Sequence, residues 1–301
     1  MPPLPFPSTD PIGLADWLEV IALLADDRSS SIGDLERALH RSAVLEVSGS
    51  REAVDEKCAE VFTELRERTY SAGDSYPFEV EGSVVRLRSR AEDFPAYIFC
   101  LCLSSLRTVQ AKGEQVFPRR LFEDLACIAV RNYIGGKSVR FASPRVELPH
   151  HFGKAVAALC LRIGEGEGYR KQPPPRSQDR TLDVVAWKHF PDALPGKLIV
   201  FGQCASGANW RGKVAELQPR VFCDHWMNDP PVSFVLKAFF IPHRIPSNHR
   251  KLVSREAGIV FDRCRLAFWV HQDKRGLKNR AELTRWSRKA IAQERVKNKG
   301  L

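Results

Sequence analysis

Asp179-Arg180-Thr181-Leu182-Asp183-Val184-Val185-Ala186-Trp187 and, about twenty residues on, Leu198-Ile199-Val200-Phe201-Gly202-Gln203-Cys204-Ala205 decide how this chain is read. Each is a short apolar run suited to a buried strand, and each carries one polar residue where aliphatic neighbours would pack. Burying a carboxylate or a carboxamide costs free energy unless the group is paired or holds a metal. A short turn bearing Pro191 and Gly196 separates the runs, so they are expected to pair as neighbours with Asp183 and Gln203 brought together.

Outward from this pair, Val235 to Pro242 and Gly258 to Leu266 read as two further strands, with a helix at Arg220 to Met227 ahead of them. Upstream, Ser138 to Phe141 reads as the first core strand and His151 to Ile163 as a helix stopped by Gly164. Arg119 to Ile134 is a strong amphipathic helix ending at Gly135-Gly136, a C-cap signal. Ala96 to Leu106 is apolar enough to be buried throughout, and Asn279 to Lys299 reads as a basic helix without a strong apolar stripe. The fold class is therefore α/β, a central mixed sheet flanked by helices, with a helical region before it.

That N-terminal region has helical periodicity from Pro11 to Ala25, a cap at Ser31 to Asp34 opening a helix through His40, and a third helix from Glu52 to Arg68. Phe78 to Leu87 reads as a hairpin. Three helices and a hairpin suit a winged-helix DNA reader, but the surplus of Asp and Glu argues against a helix that meets phosphates. Residues 1–110 are read as an interaction or scaffold domain and 111–301 as the second domain, a division that suits a chain of 301 residues.

The net charge of +10 is unevenly spread. Residues 1–80 hold 7 Lys and Arg against 16 Asp and Glu, a net of −9, which leaves +19 on residues 81–301. A basic body attracts phosphate polyanions, and the acidic section suits a protein partner. The eight cysteines contain no Cys-x-x-Cys pair and lie mostly in apolar runs, so they read as reduced core residues. With no run of eighteen apolar residues and no secretory signal, the chain is expected to be cytoplasmic and off the membrane. Gly136-Lys137-Ser138 looks like the end of a P-loop, but Arg131 stands where its first glycine belongs, so no nucleotide-binding motif is present.

The strand acid, the strand amide and the helix glutamate together resemble the PD-(D/E)xK, or restriction-endonuclease-like, nuclease superfamily, in the Mrr-like branch where Gln replaces Glu. The resemblance covers about residues 115 to 270. It implies that Asp183 and Gln203 bind Mg²⁺ (or Mn²⁺), that Asp179 matches the acid often seen ahead of the strand acid, and that Glu123 matches the helix glutamate. Mg²⁺ needs few protein ligands because it keeps several waters.

The sequence departs from the pattern at the position two after Gln203, where the family has Lys and this chain has Ala205. Lys188 has the wrong parity for that face, and Lys197 starts too far down the strand. Lys213, where the chain leaves the strand, is expected to replace the missing amine. Asn209, Trp210 and Arg211 in the same loop suit a nucleic-acid strand through an amide, a stacking ring and a guanidinium. Arg285, Arg288 and Lys289 of the C-terminal helix are expected to contact phosphates. The resemblance implies a metal-dependent DNA endonuclease, with RNA left open as substrate, serving in a bacterial restriction or anti-phage defence system. The alternative is a nuclease-like subunit that lost catalysis and acts in nucleic-acid binding or assembly, a reading that Ala205 favours.

Overall fold

The computed structural model describes residues 10–41, 51–106, 116–170, 181–273 and 276–299. Helix α1 (Pro11–Leu24) starts at Asp10, whose carboxylate accepts from the N–H groups of Ile12 and Gly13, with Pro11 preset for the first turn. Strand β1 (Ser29–Ser31) leads into α2 (Ile32–Arg41), opened by a reciprocal cap in which Ser31 and Asp34 bond each other's backbone N–H. Helix α3 (Arg51–Ala72) and the hairpin β2 (Phe78–Glu81) and β3 (Val84–Leu87) complete an antiparallel sheet of order β1-β3-β2. The apolar run Ala96 to Leu106, expected to be buried throughout, is helix α4 (Pro95–Ser105), buried from Ala96 to Cys102 but partly exposed from Leu103 to Leu106.

The second sheet contains β4 (Lys137–Arg140), β5 (Val184–Lys188), β6 (Leu198–Cys204), β7 (Leu236–Phe240) and β8 (Ile259–Phe261), in that spatial order. Helix α5 (Val116–Ile134) precedes it and turns through Gly135, at φ 63°, into β4. The pairs β4/β5 and β5/β6 are antiparallel, β5 and β6 being joined by the short Pro- and Gly-bearing turn and β4 and β5 by a longer connection. The pairs β6/β7 and β7/β8 are parallel, with helices α7 (Pro219–Trp226) and α8 (Ser247–Ala257) in the crossovers. Helix α6 (Phe152–Ile163) lies between β4 and β5 in the chain, while α9 (Arg263–His271) and α10 (Arg280–Lys299) follow β8.

Both faces of this five-stranded mixed sheet are buried. Val184, Ala186, Val200, Ala238, Phe240 and Phe261 pack into the same core as the apolar faces of α1, α3, α4, α5 and α9. Val185, Trp187, Ile199 and Phe201 face α6 and α7, and Ala205, Phe239 and Val260 continue that second face with Ala257 of α8. Residues 11–106 therefore share one core with the α5 side of the sheet. Buried ion pairs reinforce the junction. Arg263 of α9 bonds Asp16 Oδ2 at 2.8 Å and Glu19 Oε2 at 3.2 Å on α1, and Arg68 of α3 bonds Asp16 Oδ1 at 2.6 Å. The hydroxyls of Tyr76 and Tyr97 donate to Glu19 Oε1 at 2.8 and 2.9 Å.

Three sequence expectations change. The strand foreseen from Gly258 to Leu266 stops at Phe261, because the Asp262 carboxylate accepts from Arg265 N–H and caps α9. The C-terminal helix does carry an apolar stripe: Leu283 and Ala290 are buried and Trp286 meets Phe99 edge-on at 5.0 Å. Part of the acidic surplus of the N-terminal region is internal, since Asp16, Glu19 and Glu64 pair with Arg244 or Arg263 from the far end of the chain. All eight cysteines are free thiols, and only Cys204 is more than slightly exposed. No helix among the described residues is long and apolar enough to cross a membrane.

Candidate functional site

Asp183 stands where β5 enters the sheet, and its backbone explains why it is unlike its neighbours. Its N–H donates to Gly202 O at 2.9 Å on β6, while its carbonyl accepts from Phe141 N and Ala142 N on the β4 side. In a regular strand both groups of one residue point to the same neighbour, so the ladder breaks here: Phe141 and Ala142 both oppose the Asp183 carbonyl, a bulge that re-aims the side chain. Leu182 accordingly packs on the α6/α7 face and Val184 on the α5 face. The Asp183 carboxylate ends up closing the ladder: its Oδ2 accepts from Cys204 N–H at 2.7 Å.

Gln203 belongs to the opposite layer. It is 2% exposed, between Phe201 and Ala205 on the strand face turned away from α5. Its Nε2 donates to Glu216 Oε2 at 2.6 Å, and its Oε1 is a buried acceptor with no donor. Such an orphan costs about 1–3 kcal/mol unless a water or ion meets it. Asp183 and Gln203 are thus joined through one residue of backbone, Cys204, but their side chains do not share a pocket. The expectation that both point into one cavity is corrected: the bulge moves Asp183 to the sheet's end, and strand alternation sends Gln203 to the α7/α8 layer.

Glu123, about two turns into α5, lies on the other side with Cys204. Burial pushes its carboxyl up to about 7 despite Arg140, whose Nη1 bonds Oε2 at 3.2 Å. Arg140 also reaches Asp124 with its Nε at 3.1 Å, and burial raises that carboxyl too. Burial raises the Cys204 thiol, with Asp183 and then Glu123 as the charges that add to it, so these three groups are near neighbours. Lys213 ends a 3-10 turn (Trp210–Lys213) and accepts Glu216 N–H on its carbonyl at 3.1 Å, which places it on the Gln203 side.

The loop residues divide. Asn209 and Arg211 are exposed, but Trp210 is 3% exposed, packed with Ala205 and Phe239, and covered by the Arg211 guanidinium 4.7 Å from its ring centre. Trp210 offers no free face to a base, which corrects the stacking role expected of it. Arg285 and Lys289 are exposed on α10, and exposed Arg288 donates to Glu92 Oε1 at 2.7 Å. Asp179 lies outside the described residues.

Two partners escaped the sequence. Glu216 sits in a polar turn without periodic signal, and Arg140 closes a short strand, Lys137–Arg140, whose mixed charge and polarity hide which of its residues is buried. Beside Arg140 and Asp124 runs a cavity of about 690 Å³ along the free edge of β4, where Arg120, Lys137 and Lys278 outnumber the acids left unpaired. Among the described residues no three His, Cys, Asp or Glu side chains gather as a metal group. As they stand, Asp183, Gln203 and Glu123 do not form a shell around one ion. No family model, no curated protein and no solved structure matches this chain.

Proposed function

We propose that the chain is a restriction-endonuclease-like protein that hydrolyses DNA phosphodiesters with a divalent cation, in a bacterial restriction or defence setting. The observation that carries this reading is positional. A helix bearing Glu123 leads into a sheet with Asp183 just before its second strand and Gln203 next to last in its third, and the Asp183 carboxylate is bonded one residue from Gln203. The orphaned Gln203 Oε1, one residue from that bond, is a buried acceptor open to a cation while its Nε2 stays with Glu216. The cation-rich cavity on the β4 edge supplies a surface for the phosphate backbone. Asp183→Asn preserves the acceptor for Cys204 N–H, so it should fold normally and lose nicking of supercoiled plasmid in Mg²⁺ or Mn²⁺. Undiminished nicking by that variant removes Asp183 from the chemistry. The same assay with labelled RNA as competitor separates the two substrates.

A second reading, a nuclease-like subunit that binds nucleic acid without cutting, is favoured by one observation. Ala205 is buried among Trp210, Phe239 and Val260, so the family's lysine position is closed by packing. A wild-type chain that retains DNA in a gel shift yet cuts neither DNA nor RNA in either metal would select this reading.

A further inference from the structure

A second cavity, of about 460 Å³, opens between the N-terminal region and α10, away from Asp183 and Gln203. Its floor is apolar, built by Leu87, Ile98 and Ile291. Its rim is cationic: Arg28, Arg90, Arg288 and Arg295 all line it, against the single carboxylate of Glu92. Arg288 is engaged with Glu92 at 2.7 Å, Arg295 with Leu23 O at 3.0 Å and Arg90 with Asp93 at 3.7 Å, so three of the four guanidiniums are already held in place.

Two details point to a ligand rather than a packing gap. Ser287 is 4% exposed and lines the cavity, and its hydroxyl has no hydrogen-bond partner, although a serine within a helix ordinarily finds the carbonyl one turn back. The first turn of α4 also opens here at Pro95, and its N-cap, Phe94, supplies no side-chain acceptor. An apolar body with a few convergent polar groups is the usual make-up of a small-molecule site, and this volume lies within the usual range of about 300–1,000 Å³.

We propose that this cavity binds a small organic anion, one negatively charged head on an apolar body. The head sits among the arginines and Ser287, and the body lies on Leu87, Ile98 and Ile291. An acyl carboxylate and an aryl phosphate share this chemistry and are separated by experiment. The full chain is titrated by calorimetry with decanoate, with phenyl phosphate and with inorganic phosphate. The expected result is saturable binding of one of the two organic anions, at least about tenfold tighter than inorganic phosphate. Ala292→Trp, which fills the cavity from an exposed helical position, should weaken that binding by about tenfold or more, and Arg288→Leu should also weaken it. Val296→Trp, on the same helix and outside the cavity, should leave it unchanged. Absence of saturable binding by either organic anion would overturn the proposal, as would phosphate binding equally well or Val296→Trp matching the loss in Ala292→Trp.

Discussion

Glu123 has its titration set by position. Burial raises its carboxyl from 4.5 to about 7, with Arg140 only partly opposing. The folded chain therefore holds a proton that the unfolded chain has released. Stability from this group is full below about pH 4.5 and is lost as the pH rises through about 7, on the order of 3 kcal/mol in all. Glu123→Gln should flatten the urea-unfolding profile across that window; a wild-type profile that rises through it would contradict the burial. A neutral Glu123 is also a poor cation ligand, so any metal affinity it supports should increase above about pH 7. Gly202 is constrained differently. A Cβ there would meet Phe240 at 2.5 Å, and that ring is stacked on Phe261 with 4.9 Å between centroids. Gly202→Ala should lower stability by about 1–3 kcal/mol in chemical denaturation, without altering charge.

The strands and helices of the second sheet were legible because their signals are local. Apolar runs bounded by Pro and Gly gave β5, β6 and β7, and glycine stops gave the ends of α5 and α6. What failed was the direction of individual side chains. Counting parity along Leu182, Asp183 and Val184 assumes a regular strand, and the bulge breaks that count using backbone bonds to both neighbours, which no residue type announces. Similarly, the basic composition of α10 hid a stripe that recurs at Leu283, Trp286 and Ala290, since one aromatic and two smaller residues score weakly against nine cationic or acidic ones. That helix docks on α4 through Trp286 and Phe99. Trp286→Ala should cost about 3–5 kcal/mol, read from the denaturation midpoint. Arg285→Ala should leave stability unchanged and, if α10 meets phosphates, reduce the salt slope of DNA binding by about one.

Across the whole molecule, the acidic N-terminal part and the basic remainder look like separate bodies in the sequence but share an interior. Arg263 is fully buried against Asp16 and Glu19, with Arg68, Tyr76 and Tyr97 completing the network. Removing one member strands the others, so Arg263→Ala should lose about 3–5 kcal/mol and unfold in a single transition rather than releasing one half first. Two separated transitions in the wild-type chain would show that the shared core does not couple the halves. The electrostatic asymmetry thus serves partly as internal pairing, and cationic side chains remain exposed along the β4 edge and on α10. At the mouth of the sheet, the measurement that bears most directly on function is an anomalous difference map from a crystal soaked in Mn²⁺. A peak about 2.2 Å from the Asp183 carboxylate is the predicted result. A map without such a peak, with Asp183 still on Cys204 N–H, would contradict the metal-dependent reading.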